Sequence, residues 1–98
     1  MREALIEQYL VQRVKKLGGE AYKFSSPNRR NVPDRFCLFP GRTACFIECK
    51  ATGKKPTPAQ LREINRLAKL GFYVFWIDSK KDVDQVLLAL LGYSSLPV

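Results

Sequence analysis

The chain has 98 residues, a formal net charge of +8 at pH 7 and a hydrophobic fraction of 46%. A chain of this length builds one small domain, so we treat residues 1–98 as a single domain with a modest core. The apolar content argues against disorder, and no apolar run reaches the ~20 residues that a membrane span needs. The positive charge favours a polyanionic partner, nucleic acid before membrane, although a generic basic domain would carry the same charge.

The cysteines and the first residues indicate the compartment. Cys37, Cys45 and Cys49 lie inside predicted strands, and the chain has no histidine, so the sequence lacks the paired ligand spacing of a zinc site. Glu3 and Glu7 interrupt the first apolar positions, which argues against a signal peptide. We therefore expect reduced, packing cysteines in a cytoplasmic protein.

Residues 3–17 predict a helix whose apolar positions share one broad face: Ala4, Ile6, Leu10, Val11, Val14 and Leu17. Glu7 falls near the middle of this face, where a carboxylate is costly to bury unless it is paired or bound. A small rotation of the helix would instead bring Glu7 to the rim. Glu3, at the edge of the same face, is a weaker candidate for a functional acid. Leu5 and Tyr9 lie on the otherwise polar side and indicate a second contact surface.

The polar loop of residues 25–32 separates a predicted strand over residues 20–24 from the dipeptide Pro33-Asp34. The loop contains Arg29 and Arg30. It is either a solvated loop or a segment that grips phosphates beside the acid. Its position directly before Asp34 favours phosphate binding.

Residues 33–50 predict a hairpin, because two short apolar runs flank a Pro-Gly turn. Side chains alternate faces along a strand, so Glu48 and Lys50 point the same way. Antiparallel pairing would bring Asp34 close to both. Two carboxylates and an ammonium group at one sheet edge can hold a divalent metal and orient a water against a phosphodiester. Taken alone, Glu48 and Lys50 are equally typical of a surface charge pattern.

The second half of the chain predicts a helix, a strand and a helix after a basic loop over residues 51–56. Thr57 and Gln60 form a capping box, and the helix runs to about Leu70. We expect its inward side chains to be Leu61, Ile64, Leu67 and Ala68, and its outward ones to be Arg62, Arg66 and Lys69. The apolar run of residues 72–77 predicts a central strand, covered on both faces and reached by a parallel crossover. A second capping signature at Ser79 opens a final helix with Val83, Val86, Leu87 and Leu90.

The motif Pro33-Asp34 followed by Glu48-Cys49-Lys50 is similar to the PD-(D/E)xK signature of the restriction-endonuclease-like nucleases. A longer ordered series, spanning about Glu3 to Leu88, resembles the small VRR-NUC (virus-type replication-repair nuclease) family. The series comprises an N-terminal helical Glu, Gly18-Gly19, Lys23-Phe24, Asn31-Val32-Pro33-Asp34-Arg35, Phe46-Ile47-Glu48-Cys49-Lys50, Thr57-Pro58-Ala59-Gln60 and Leu70-Gly71-Phe72. The element order α-β-β-β-α-β-α predicts an α/β fold with a mixed sheet flanked by helices, which is the restriction-endonuclease-like core that the resemblance implies.

The resemblance also implies roles for particular residues. Asp34 and Glu48 would bind Mg²⁺ or Mn²⁺ together with the main-chain carbonyl of Cys49, since such cations prefer oxygen ligands. Lys50 would orient or activate the attacking water or stabilise transition-state charge. Gln60 would reach the active-site edge, besides its capping role. The DNA-binding candidates are Lys23, Ser25, Arg29, Arg30, Arg35, Lys54 and Lys55.

Glu7 resembles the helical Glu that completes such sites, directly or through a bound water. We expect it to face Asp34 and Glu48 as an unpaired acid, which would destabilise the metal-free protein. The substitution Glu7→Gln should then raise thermal stability in EDTA.

The predicted function is that of a metal-dependent endodeoxyribonuclease. The resemblance alone implies branched DNA, such as four-way (Holliday) junctions, as the substrate. Two symmetric cuts imply a homodimer, with Leu5, Tyr9, Tyr93, Leu96 and Val98 as contact candidates. The rival hypotheses are an inactive basic nucleic-acid-binding module and a subunit that needs a helicase or another partner. The intact Asp34, Glu48 and Lys50 argue against the inactive module.

Overall fold

Four strands form one sheet in the order β1 (Glu20–Lys23), β2 (Arg35–Leu38), β3 (Ala44–Cys49) and β4 (Tyr73–Ile77). The computed structural model describes residues 1–96. The strands β1, β2 and β3 pair antiparallel, whereas β4 lies parallel to β3. Three α-helices, α1 (Glu3–Lys16), α2 (Pro58–Lys69) and α3 (Lys80–Leu91), and a short 3-10 helix at Pro40–Arg42 complete this part of the chain. The predicted order α-β-β-β-α-β-α, the mixed sheet and the parallel crossover from β3 to β4 are confirmed.

The main core lies between one face of the sheet and the helices α1 and α3. It contains the buried residues Ile6, Leu10, Val14, Cys37, Phe39, Cys45, Ile47, Cys49, Ile77, Val83 and Leu87. The three cysteines are free and buried, as expected of packing residues. Because side chains alternate along β3, Phe46 and Glu48 point to the opposite face, where α2 lies.

The helix α1 is rotated relative to the face expected from its sequence. Ile6, Leu10 and Val14 are fully buried, whereas Ala4 is exposed. Tyr9 packs against the core, and its hydroxyl donates to the two carboxylate oxygens of Asp84 in α3, at 2.9 and 3.0 Å. Tyr9 therefore joins α1 to α3 within the chain. The rotation also moves Glu7 away from the centre of the buried stripe.

The strand β4 is an edge strand, and the prediction of a central strand covered on both faces is wrong. Within residues 1–96 it pairs with β3 alone. Tyr73 and Trp76 remain 62% and 36% exposed. The place of the central strand is taken by β3. A continuous apolar run cannot by itself distinguish the two positions, since aromatic side chains tolerate partial exposure.

The helix α2 also departs from its predicted orientation. Ile64 and Leu67 are buried as expected, but Leu61 is 39% exposed and Ala68 is exposed as well. Glu63, an acid, takes a buried position with 5% exposure. The helix thus turns a narrower apolar stripe to the sheet than its sequence suggests, with Glu63 held beside that stripe.

The remaining apolar candidates for intermolecular contact differ in exposure. Leu96 packs against the core, whereas Leu5 and Tyr93 are 42% and 48% exposed. Val98 lies outside the described residues. No helix of residues 1–96 has the length and apolar content to cross a membrane.

Candidate active site

Asp34 is held at the point where the hairpin of β2 and β3 begins. The pairing of Arg35 with Ile47 places Asp34 beside the end of β3. Its side-chain Oδ2 accepts the main-chain N–H of Cys49 at 3.0 Å, and its main-chain carbonyl accepts the N–H of Phe24 at 2.8 Å. The carboxylate is therefore fixed against the backbone of the central strand, next to Glu48.

Glu48 is an almost fully buried carboxyl group on the α2 face of β3, with 3% of the residue exposed. Burial, followed by the nearby charge of Asp34, raises its pKa to about 7, although Lys50 acts in the opposite direction. The charge of Glu3 contributes a smaller increase. A proton on Glu48 is thus in balance with the anion near neutral pH, and a bound cation would favour the anion.

Two side chains approach the same oxygen of Glu48. The ammonium of Lys50 lies 3.3 Å from Oε2, and both side chains are nearly buried, at 15% and 4% exposure. The amide of Gln60 donates to that oxygen at 3.2 Å. Both contacts orient the carboxyl group of Glu48 near the C-terminal end of β3.

Gln60 carries out two roles with one side chain. Its Oε1 accepts the main-chain N–H of Thr57 at 2.9 Å, while the Thr57 hydroxyl accepts the N–H of Gln60 at 3.1 Å. The predicted capping box is thereby confirmed. Because Nε2 of the same amide binds Glu48, the start of α2 is tied directly to the candidate site.

Glu7 lies at the rim of α1, where its Oε2 accepts hydrogen bonds from Lys23 and Arg35, both at 2.8 Å. Burial alone would raise its pKa, but these two partners together hold the pKa below its usual value. The expectation of an unpaired Glu7 is therefore wrong: rotation of α1 brings the carboxylate to basic side chains of β1 and β2. The expected gain in stability on Glu7→Gln no longer follows, and a loss is expected instead.

Two helical acids thus approach the site from α1. Burial is the main cause of the raised pKa of the Cys49 thiol, and the charge of Glu7 adds to it. Burial is likewise the main cause of the raised pKa of Glu48, to which the charge of Glu3 makes the smallest contribution. Glu3 is exposed and lies one helical turn before Glu7. Both positions are close enough for electrostatic coupling to the Asp34 and Glu48 end of the sheet.

The donor set fits a hard divalent cation. Asp34 and Glu48 offer carboxylate oxygens, and the adjacent Cys49 offers a main-chain carbonyl, all of them ligands that suit Mg²⁺ or Mn²⁺. Among residues 1–96, no cluster of three or more His, Cys, Asp or Glu side chains is arranged to hold a metal ion. The side chains of Asp34 and Glu48 therefore need main-chain or solvent oxygens to complete a coordination shell.

The predicted DNA-binding residues fall into separate groups. Lys23 and Arg35 pair with Glu7, and Arg29 pairs with Glu63 of α2 at 2.9 Å. The others are exposed: Ser25, Arg30, Lys54 and Lys55. Sequence reasoning missed the participation of Glu63, although its spacing to Arg66 is that of an i,i+3 helical ion pair.

The chain is similar to known proteins over most of its length. A scan against protein-family models gives no match. The curated phage protein "Putative nuclease p44", from Acyrthosiphon pisum secondary endosymbiont phage 1, is 52% identical over 90 residues, which cover 92% of this chain and 96% of that protein. A solved structure described as "VRR_NUC domain" superposes with a TM-score of 0.81 at 36% identity, covering 87% of this chain and 92% of that chain. Both likenesses concern the whole fold rather than a single motif.

The ion pairs of Glu7 predict that Glu7→Gln destabilises the metal-free protein. The substitution leaves two cations without their anion, and the expected loss is roughly 1–2 kcal/mol in the free energy of unfolding, since hydrogen bonds to charged groups contribute about this much. Urea unfolding in EDTA measures the effect. Glu20→Gln is the matched control, because Glu20 is exposed and should change stability little. Equal or higher stability of Glu7→Gln would contradict the pairing.

The raised pKa of Glu48 predicts a pH-dependent penalty. An acid whose folded-state pKa lies above its unfolded value stabilises the fold below the unfolded pKa, near 4.5, and this contribution is lost as pH rises through about 7. Between pH 5 and 8 in EDTA, the wild type should therefore lose stability relative to Glu48→Gln, by about 3 kcal/mol at most. Parallel pH profiles of the two proteins would show that Glu48 ionises normally.

Proposed function

Because the chain belongs to the VRR-NUC nuclease family, we propose that it is a metal-dependent endodeoxyribonuclease whose active site is built on Asp34, Glu48 and Lys50. One observation supports this proposal most strongly. Glu48 is buried at the edge of the central strand, with Lys50 and Gln60 on one of its oxygens. A protein that used Glu48 only for stability would gain little from a carboxyl group whose ionised form is disfavoured by burial.

The metal of this proposal is Mg²⁺ or Mn²⁺, held by Asp34, Glu48 and the main-chain carbonyl of Cys49. When bound, such a cation neutralises charge on the scissile phosphate and makes a bound water more acidic. Phosphodiester hydrolysis needs both effects, because the substrate is an anion and water at neutral pH is a weak nucleophile.

The remaining side chains of the proposed site orient its reacting groups and stabilise charge. Lys50, 3.3 Å from Glu48, carries an ammonium that can hold the attacking water or stabilise the charge that develops on the phosphate. Gln60 holds Glu48 in its rotamer from the start of α2. An acid of α1 completes the site: Glu7, directly or through water, with Glu3 as the alternative because its charge acts on Glu48.

The proposed substrate is branched DNA such as a four-way junction, and the proposed assembly is a homodimer. Both rest on the family resemblance and on the symmetry of two cuts at one junction. A helicase or another replication partner would be compatible with this small chain. The free, buried cysteines fit a reducing compartment such as the cytoplasm.

The second candidate function is a basic DNA-binding module that retains the fold without cleavage, or cleaves only with a partner. The net charge of +8 supports binding in either case. Incubation of the purified protein with Mg²⁺, Mn²⁺ or EDTA on labelled junction, flap, duplex and single-stranded DNA separates the candidates. Binding without cleavage in both metals would favour the module.

The site predicts that Asp34→Asn, Glu48→Gln and Lys50→Ala each lower cleavage by at least about a hundredfold, the usual scale for loss of one acid–base or charge-stabilising group. The two carboxylate changes should also weaken Mn²⁺ binding, measured by calorimetry, because they remove ligands. Lys50→Ala should leave Mn²⁺ binding largely intact.

Two further variants on α1 test which acid completes the site. Glu3→Gln and Glu7→Gln, tested side by side, identify the helical acid by which of them loses activity at saturating metal. Wild-type cleavage by Glu48→Gln, with its fold confirmed by circular dichroism, would remove the metal-site proposal.

The homodimer predicts a solution mass of twice the 11.2 kDa of the single chain in light scattering. Leu5 and Tyr93, both exposed, are the contact candidates that the fold leaves accessible. The double variant Leu5→Ser/Tyr93→Ser should then shift the protein towards the monomer without loss of secondary structure. A single-chain mass at concentrations that cleave a junction would count against the dimer.

A further inference from the structure

A basic cleft lies beside the candidate active site, between the loop of residues 28–31 and α2. Its volume is about 720 Å³. Five of its lining side chains are basic, and among the described residues that line it Glu63 is the one acid. The basic residues are Arg29, Arg30, Arg62, Arg66 and Lys69. The cleft therefore carries a net positive charge, even after Glu63 is counted.

Glu63 holds two of these cations in place. Its carboxylate accepts Nη2 of Arg29 at 2.9 Å and Nη2 of Arg66 at 3.0 Å, and it also accepts the Nε of each. The Glu63 side chain is 6% exposed, whereas those of Arg29 and Arg66 are 50% and 41% exposed. Both guanidinium groups thus meet a buried anion on one side and solvent on the other. A guanidinium group held in this way is pre-organised for a second anion.

The spacing along α2 matches a nucleic-acid backbone. Arg62, Arg66 and Lys69 occupy positions i, i+4 and i+7, so they share one helix face. A helix rises 1.5 Å per residue, which puts Lys69 roughly 13 Å along the axis from Gln60 at the candidate site. A DNA strand rises about 3.4 Å per nucleotide. The row of basic side chains from Arg62 to Lys69 therefore spans about three nucleotides, and its far end lies about four nucleotides from Gln60.

We propose that this cleft binds the sugar-phosphate backbone of duplex DNA within about four nucleotides of the bond that the active site cuts. The inference rests on the proposed function for the position of the cut and on the cleft alone for the binding. Arginine and lysine side chains dominate phosphate contacts. The described residues that line the cleft include no aromatic side chain, whereas sites for single strands rely on base stacking. Duplex DNA is for this reason the favoured ligand.

The rival explanation is a purely structural contact, in which Glu63 fastens the loop to α2. Arg62 and Lys69 separate the two explanations. Both are exposed, and neither side chain makes a hydrogen bond or an ion pair within the structure described here. A structural contact has no use for them, whereas a phosphate-binding surface does.

The test compares two double variants with the same loss of charge. Arg62→Ala/Lys69→Ala removes two basic side chains from the cleft. Lys15→Ala/Lys16→Ala removes two exposed basic side chains from α1, which packs on the other face of the sheet. Fluorescence anisotropy measures binding of a 30-base-pair duplex and of a four-way junction in EDTA over a series of salt concentrations. Cleavage cannot interfere in EDTA if the enzyme is metal-dependent, and intact probe on a gel checks this.

The expected result is a salt dependence that is weaker by about 1.8 in the log–log slope for the cleft variant, or about 0.9 per lost phosphate contact. When salt is raised from 50 to 200 mM, the wild type should therefore lose about tenfold more affinity for DNA than the cleft variant does. The α1 variant should retain a slope close to that of the wild type. Equal effects of the two variants, or no effect of the cleft variant, would overturn the proposal.

Glu63→Gln tests the role of Glu63 as a positioning residue. Counting charges alone, removal of an acid should tighten DNA binding. If Glu63 holds Arg29 and Arg66 for phosphates, binding should instead weaken several-fold, at a temperature where circular dichroism shows a folded protein. Tighter binding would contradict the positioning role.

Neutral methylphosphonate groups can locate the contact on the DNA. The cut site is first mapped with the active protein and Mn²⁺. Methylphosphonate groups placed within about four nucleotides of the cut site should weaken binding by the wild type. The same groups should not weaken binding by Arg62→Ala/Lys69→Ala any further, as in a double-mutant cycle. If the protein does not cleave, a contiguous block of sensitive phosphates still supports the cleft, so failure of the nuclease proposal and failure of the cleft are distinguishable. A wild-type protein that is insensitive to every substitution would contradict backbone binding.

Discussion

The buried carboxyl group of Glu48 is the constraint on which the candidate site depends. It lies on the central strand β3, with only 3% of the residue exposed, and a carboxylate in such a place is stable only with partners. Lys50 and Gln60 provide two contacts to one oxygen. Asp34 works against them, since a second negative charge raises the pKa of Glu48. The metal-free site is therefore electrostatically unfavourable, and a divalent cation would relieve both the burial and the repulsion.

Gln60 links the orientation of Glu48 to the start of α2. The same amide closes the capping box of α2 and donates to Glu48. The capping interaction fixes where the helix begins, so it also holds the start of α2 close to Glu48 of β3. The helix N-terminus moreover carries partial positive charge, which favours an anion nearby. Stability of α2 and orientation of Glu48 are consequently not independent in this protein.

Local patterns in the sequence were sufficient for those features that depend on neighbouring residues. The Thr57–Gln60 capping box, the hairpin that brings Asp34 beside Glu48, and the parallel crossover are of this kind. Tertiary packing decided the rest. Glu7 lies at the rim of α1 with Lys23 and Arg35 instead of in the apolar stripe, because the face that a helix buries is decided by its packing partners, which a helical wheel does not contain. The edge position of β4 depends on which strands pair. The burial of Glu63 depends on Arg29, 34 positions away in the chain.

The charges of the protein favour one approach of DNA to the candidate site. The basic side chains of the cleft follow α2 away from Gln60, on the face of β3 to which Glu48 points. On the α1 face, the charge of Glu7 is neutralised by two basic partners at 2.8 Å, so Glu7 does not make that face acidic. A phosphate backbone is attracted to the basic side of α2. DNA lying along α2 would therefore bring its scissile phosphate to Asp34 and Glu48 from the basic side, and the two requirements of the proposed reaction, a bound cation and a bound polyanion, would meet at one end of β3.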